Sequence, residues 1–358
     1  MRRLALTSVL LVATFLAVTP GVQAQPFTAW LNLVGGATSG YIEIPHSSAF
    51  NTTGAFTFEA WVAITNSTTG EDCRSIAGKR YLETWWLGQC NVGGQPTLRS
   101  YLKGGGSLRN GGIIPRGVWT HVAVTFDGSK RRHYINGELA AEFTETGSLP
   151  TNSRPIRIGS DENWEHTPTG GIDEVRLWNV ARSISQIRAS LNKRITTPQP
   201  GLIAVWPFDG TTVDIIGGHN GTVHGAGVSA ANFPVIASCG ASTATSLCLN
   251  NRFRVTAFWR TNPTPGTPTD GQAQVVNAPN PSSGLFWFFS STNWEVMVKV
   301  LNGCGLNNRW WVFSAATTNV FYRVEVLDVT SGEQKIYFNY PGPPAPAVTD
   351  TDALATCP

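Results

Sequence analysis

Charged side chains are scarce in this sequence of 358 residues. Asp, Glu, Lys and Arg make up 14% of it, and its formal net charge is only +3. A chain with so little charge of one sign offers no electrostatic footprint for DNA, RNA or anionic lipid. The composition therefore predicts that nucleic acid is not a partner.

Long apolar runs are absent after residue 24. Before it, Arg2 and Arg3 precede an apolar stretch at 4–18, and small residues end at Ala24. This pattern is typical of a secretory signal peptide cleaved after Ala24, and about fifteen apolar residues are fewer than the roughly twenty that span a bilayer. The sequence predicts a signal peptide at 1–24 and a secreted protein, with the periplasm or cell surface as alternatives, and no membrane insertion.

The motifs of common enzymes are also missing. The sequence contains no G-x-S-x-G, no H-E-x-x-H, no phosphate-binding loop and no dinucleotide-binding fingerprint. We therefore predict that the protein is not an enzyme.

No C-x-x-C pair occurs, which argues against a zinc site. All six cysteines lie after the predicted cleavage site, as expected for disulfides formed in an oxidising compartment. Cys73 and Cys90 suit a local bridge because the other four cluster in the last third of the chain. The pairing of those four stays open.

Helical periodicity is rare, whereas short alternating runs bounded by turn residues are frequent. At 118–140, Val122, Val124 and Phe126 share one strand face, and Asp127-Gly128 and Asn136-Gly137 are turn signals. This stretch predicts a meander of three antiparallel strands. One amphipathic helix is predicted at 183–194.

Four motifs in order resemble a laminin-G-like domain of the concanavalin A-like lectin/glucanase superfamily. They are "GYIEIPHSSAFN..GAFTFEAWV", "GVWTHVAVTFDGSKRRHYINGELA", "IRIGSDE...GGIDEVRLWNVARS" and "GLIAVWPFDG...GGHNGTVHGA". The resemblance covers about residues 28–228. It implies an all-β, antiparallel jelly-roll sandwich that binds glycans or other proteins, and we assign it to 25–228.

Residues 229–247 are predicted to be a linker, and 248–358 a second, smaller β-sandwich. This last part is similar to a module of exported bacterial proteins, a resemblance that implies no activity. Its aromatic runs load both strand faces, which indicates either a strand covered on each side or a partner site, including docking against the first domain. These aromatic residues are Phe286, Trp287, Phe288, Phe289, Trp310 and Trp311.

A glycoside hydrolase needs two carboxyl groups that reach one glycosidic bond. The E-x-D-x-x-E pattern of the glucanases in the superfamily does not occur, and Asp173 and Glu174 are neighbours that point to opposite strand faces. The resemblance instead implies that Asp173 supports the fold or ligates calcium. Calcium is therefore the cofactor that the resemblance implies.

Aromatic rings can stack on the C–H face of a sugar. Trp85 and Trp86 are adjacent, so one of them is free to face outward, and Asn163 and Trp164 lie in a polar loop. We predict ligand binding by these four residues; packing under loops is the alternative for the tryptophans. The predicted function is non-enzymatic recognition of an extracellular carbohydrate. The alternatives are a structural or adhesive role towards a protein ligand, and a divergent glycoside hydrolase.

Overall fold

The computed structural model describes residues 29–35, 40–65, 72–104, 107–162, 166–261, 269–278, 280–342 and 344–358. The predicted signal peptide lies outside them. The described residues form four antiparallel sheets, arranged as two sandwiches that each enclose a core. The predicted all-β fold class is confirmed.

The first sandwich, domain 1, has two sheets whose apolar side chains meet in one core. Sheet 1 is formed by Glu138–Thr144 (β10), Lys130–Ile135 (β9), Thr120–Phe126 (β8), Phe56–Ile64 (β3), Gly170–Trp178 (β12), Trp30–Leu33 (β1) and Val228–Ala231 (β15) in that order, with Leu202–Trp206 (β13) also paired to β12. Sheet 2 is formed by Thr222–His224 (β14), Tyr41–Ile44 (β2), Ile156–Ile158 (β11), Cys73–Gly78 (β4), Trp85–Val92 (β5), Gln95–Leu102 (β6) and Ser107–Ile113 (β7).

The predicted meander is present as β8, β9 and β10. Val122, Val124 and Phe126 of β8 point into the core. Asn136 and Gly137 both have positive φ, 50° and 74°, which a tight hairpin with right-handed strand twist requires. The opposite face of β8 is buried as well, because a helix and the second sandwich cover it.

The predicted α-helix of domain 1 is shorter than expected and runs over Ile184–Ser190 (α1), and a short 3-10 helix occupies Ser48–Phe50. Ser183 and Gln186 form a capping box, in which each side chain accepts a hydrogen bond from the other's backbone N–H. Ile187 and Leu191 pack beside Trp61 on the outer face of sheet 1. No helix in the described part of the chain is long and apolar enough to cross a membrane.

The second sandwich, domain 2, encloses a separate core. Sheet 3 is formed by Leu247–Leu249 (β16), Phe253–Arg260 (β17), Phe321–Asp328 (β23) and Glu333–Asn339 (β24), with Asp270–Gln272 (β18) also paired to β17. Sheet 4 is formed by Gln274–Val275 (β19), Ser283–Trp287 (β20), Val296–Asn302 (β21), Trp310–Ala316 (β22) and Val348–Leu354 (β25). A one-turn helix, Cys304–Asn307 (α2), precedes β22.

Three disulfides join Cys73 to Cys90, Cys239 to Cys248 and Cys304 to Cys357. The first is the expected local bridge, between directly paired residues of β4 and β5. Both ends of the predicted linker at 229–247 belong to strands of the sandwiches. At its start β15 adds Val228–Ala231 to sheet 1, and at its end β16 begins at Leu247.

Candidate functional site

The structure places Trp85 and Trp86 inside domain 1. Each is 2% exposed. Trp85 lies in the core between the sheets, beside Phe56 and Phe58, and Trp86 donates its Nε1–H to Ser75 Oγ at 2.8 Å.

The predicted ligand-contact role of these two tryptophans does not fit this burial. They do point to opposite faces, but the outer face is closed over Trp86 by Tyr81 and Tyr101. The alternative, packing under a loop, describes Trp86 better, because Tyr81 belongs to the 79–84 connection between β4 and β5.

Asn163 and Trp164 lie outside the described residues. Asp161, two residues before Asn163 in the sequence, is fully buried and accepts hydrogen bonds from the backbone N–H of Tyr81 at 2.9 and 3.1 Å. The ligand-binding role of Asn163 and Trp164 stays a prediction.

Asp173 is buried in β12, at 1% exposure, and a β-bulge follows it. Burial raises its pKa well above the ordinary value, and the nearby charge of Glu174 adds to this effect. Among the described residues, no three His, Cys, Asp or Glu side chains cluster in a way that could hold a metal ion. Calcium binding through Asp173 stays a prediction.

The two domains dock through the outer faces of sheets 1 and 3. The ring of Trp61 on β3 stacks on Phe338 of β24, with centroids 6.2 Å apart. The Arg188 guanidinium of α1 lies 3.8 Å above the ring of Tyr340. Because these contacts bury apolar surface of both sheets, the domains form one packed unit on this side.

Beyond this contact, a cleft of about 770 Å³ separates the edge of domain 1 from sheet 3. Ile113 and Leu139 form its roof and are 45% and 50% exposed. Phe258, Phe321 and Arg323 form its floor, on the paired strands β17 and β23. The volume falls within the roughly 300–1,000 Å³ of small-molecule sites.

One end of the cleft carries paired charges. Arg260 forms an ion pair with Glu138 across the domain boundary, and its guanidinium lies 4.6 Å above the ring of Phe321. Asp270 is the strand partner of Arg260; burial raises the pKa of Asp270, against the positive charges of Arg260 and Arg323. Acidic and basic groups therefore balance each other in the cleft.

The cleft contains two carboxyl groups, and their arrangement bears on hydrolysis. A glycosidase keeps its two carboxyl groups on either side of the bond it cleaves, with space for a sugar between them. Here Arg260 pairs with Glu138 and lies opposite Asp270 in the strand register. The charge of Arg260 thus acts on both carboxyl groups, as an ion pair with Glu138 and electrostatically on Asp270.

The floor of the cleft is held rigidly by Arg323. Its guanidinium lies 4.6 Å above the ring of Phe258, and it donates to the carbonyl oxygen of Trp119 in domain 1 at 3.1 Å. It also forms an ion pair with Glu325 at 3.0 Å. The sequence holds one signal of this site: Phe258 is an aromatic residue on the polar face of β17, between Thr256 and Arg260.

Comparison with known proteins finds a family match for the domain that carries the roof of the cleft. Residues 35–188 match the laminin G family model of the concanavalin A-like lectin/glucanases superfamily. This part of domain 1 is therefore similar to laminin G domains. The resemblance of the sequence motifs is thus confirmed for this part of the chain. No curated protein matches the chain.

Several solved structures are similar to this chain. A candidate carbohydrate-binding protein from Bacteroides ovatus ATCC 8483 is 25% identical, with a TM-score of 0.47, over 58% of this chain and 60% of that one. The chain thus spans less than two thirds of that protein. A SAP-like pentraxin from Limulus polyphemus is 14% identical, with a TM-score of 0.41, over 56% and 95%. Domains LG4-5 of the mouse laminin alpha1 chain are 11% identical, with a TM-score of 0.34, over 96% and 84%.

The laminin G-like domain supplies only half of the cleft. Ile113 and Leu139 lie within the matched residues, whereas Phe258, Phe321 and Arg323 lie beyond them. The site therefore depends on how domain 2 docks, which the family resemblance does not describe.

Proposed function

We propose that this chain is an exported, non-catalytic carbohydrate-binding protein that holds its ligand in the cleft between the laminin G-like domain and domain 2. The observation that carries this proposal is the cleft, with aromatic and aliphatic walls and paired polar groups at one end. Three disulfides are consistent with export to an oxidising compartment.

The chemistry of the walls favours a saccharide over other small ligands. Aromatic and aliphatic side chains can contact the C–H faces of a sugar, while charged and amide groups at the same site accept and donate hydrogen bonds to hydroxyls. Glu138, Asp270 and Gln272 supply such groups, and Phe258 supplies a ring. Because the charges are balanced, a neutral or weakly charged sugar fits better than a polyanion.

Glycan microarray binding by the whole mature protein, followed by calorimetry on the best glycan, tests this proposal. Leu139→Ala and Gln272→Ala change exposed cleft residues, so folding should be retained, and we expect each to weaken binding several-fold by removing about 1 kcal/mol of contact. Val223→Ala is the matched control, because Val223 is 49% exposed on sheet 2 and outside the cleft.

Equal affinity of the Leu139→Ala and Val223→Ala variants would place the ligand elsewhere. Release of reducing sugar from mixed polysaccharides by the purified protein would contradict the non-catalytic assignment.

Adhesion to a protein is the second candidate function. It is favoured by the two exposed aliphatic side chains of the cleft roof, Ile113 and Leu139, since exposed apolar patches are common at protein interaction sites. A blank glycan array, together with a protein partner whose binding is lost in Leu139→Ala, would support adhesion.

A further inference from the structure

The outer face of sheet 4, on domain 2, carries an apolar strip that the cleft does not use. Strand alternation divides the aromatic runs of this region: Phe286, Phe288 and Trp310 point into the core. The neighbouring positions point outward, and there the apolar side chains are Leu285, Trp287, Met297, Leu301, Trp311 and Phe313.

This face lies on the side of domain 2 that is away from the laminin G-like domain. The docking contact is made by Phe338 of sheet 3 and by Tyr340, just after β24, so the aromatic run of sheet 4 is not used for it. Met297 is 37% exposed, and Trp287, Trp311 and Phe313 are half-buried. An aromatic strip of this kind on a solvent-facing sheet marks an interaction surface.

Trp311 is held in a fixed orientation at one end of the strip. Its ring lies against Gly303, where an added Cβ would come within 2.2 Å of ring atoms. Its Nε1–H donates to Asn307 Oδ1 at 2.8 Å. Phe313 follows on the same strand face, with ring centroids 6.4 Å apart. Because one side of the Trp311 indole lies against the backbone of Gly303, the part of the ring that remains exposed faces solvent.

The strip is long and narrow. Trp311 pairs with Leu301, and Met297 pairs with both Leu285 and Ala315, so the apolar positions run diagonally across β22, β21 and β20. Six residues of strand separate the levels of Trp311 and Trp287, which corresponds to about 20 Å. This shape suits an extended chain better than a compact small molecule.

The strip is almost uncharged. Among the outward-facing positions of β20, β21 and β22, all of them described, Lys299 is the only charged residue. Lys299 and Thr349 flank Phe313 on the neighbouring strands, where they can reach hydroxyl groups. One lysine gives no charge complementarity to a polyanion, so the ligand is expected to be neutral.

We propose that this face binds an extended, neutral polysaccharide chain, which lies along the strip and stacks on Trp311, Phe313 and Trp287. Stacking of sugar C–H faces on fixed rings explains why an indole is locked on Gly303 and left partly open to solvent. The site goes beyond the cleft and assigns a role to domain 2, which would anchor the protein to a polymer.

Retention on particles of cellulose, chitin, xylan and β-1,3-glucan tests the proposal with the full mature chain. We expect the wild type to be depleted from solution by at least one polymer, with little dependence on salt. Trp311→Ala and Trp287→Ala should each weaken retention about tenfold, and Trp311→Phe, which keeps a ring, should retain most of it. Val223→Ala is the control, because Val223 is exposed on sheet 2 of domain 1 and lies outside both the strip and the cleft.

Retention on none of the four polymers overturns the proposal. So does a Trp311→Ala variant that binds like the wild type while its thermal midpoint is unchanged. Concentration-dependent dimers that Trp311→Ala abolishes, seen by sedimentation without polymer binding, would show that the face covers a second copy of the chain. Loss of glycan-array binding in Leu139→Ala with normal polymer retention would separate the two sites.

Discussion

A buried carboxylate under α1 gives the sharpest test of how domain 1 is held together. Glu59 on β3 is fully buried. Its Oε1 accepts hydrogen bonds from Trp178 Nε1 at 2.7 Å and Arg182 Nη1 at 2.5 Å, and its Oε2 lies 3.4 Å from His121 Nε2. Glu59 thus ties the segment before α1 to sheet 1.

The magnitude follows from the same contacts. Burial alone would raise the pKa of Glu59, but its contact with His121 and the charge of Arg182 outweigh this effect and lower the pKa from 4.5 to about 2. That difference corresponds to about 3 kcal/mol of stability. Removing one partner of a buried ion pair costs about 3–5 kcal/mol.

The perturbation is Glu59→Gln, which keeps an acceptor for Trp178 but leaves Arg182 without its counterion. We expect its thermal midpoint at pH 7 to fall by about 10 °C, since 1 kcal/mol corresponds to about 2–4 °C for a domain of this size. The matched control is Glu142→Gln, which breaks an exposed ion pair with Lys130 and Arg132 and should leave the thermal midpoint nearly unchanged.

The pH dependence has a defined sign. Because folding lowers the pKa of Glu59, its contribution is complete above pH 4.5 and is lost as the pH falls towards 2. Melting curves at several pH values, followed by circular dichroism, should therefore show the gap between wild type and Glu59→Gln closing between pH 4.5 and 2. A gap that stays constant down to pH 2, or a variant as stable as the wild type at pH 7, would refute the reasoning.

Other predictions concern disulfides, capping and metal. Replacing Cys304 and Cys357 by serine should lower the free energy of unfolding by about 4 kcal/mol, and replacing Cys239 and Cys248 by about 3 kcal/mol, because the two disulfides join residues 53 and 9 positions apart. Urea titration measures both losses, and a larger loss for the Cys239–Cys248 pair would contradict this prediction. Ser183→Ala should cost about 1 kcal/mol through loss of the α1 cap, again by urea titration, and no change would contradict a stabilising cap. EDTA should lower the thermal midpoint only slightly, and an unchanged midpoint would show that Asp173 does not bind calcium.

Short-range patterns account for much of the agreement between sequence and structure. Alternation in β8 predicts that Val122, Val124 and Phe126 share a core face, and the turn residues Asn136 and Gly137 predict the hairpin. These features depend on residues within a few positions of one another. The Cys73–Cys90 bridge is local in the same sense, since it joins two cysteines that are 17 residues apart and lie on paired strands.

Burial of the candidate site residues depended on longer-range packing. Adjacency in a strand shows that Trp85 and Trp86 point to opposite faces, but it does not show that Tyr81 and Tyr101 cover the outer one. In the same way, the mostly polar outer face of β17 gives little sign that Phe258 becomes the floor of a cleft. Which surface covers which is set by segments far apart in the chain.

The all-β class, the laminin G-like strand pattern and the scarcity of charge can be read from the chain alone, because these properties reside in composition and in spacing along each strand. The docking of sheet 3 on the outer face of sheet 1, the cleft beside this contact and the solvent-facing aromatic face of sheet 4 are visible only in the folded molecule. The cause is that burial is a property of pairs of surfaces. A strand carries an apolar face in its own sequence, whereas the partner that covers it is brought there by the fold.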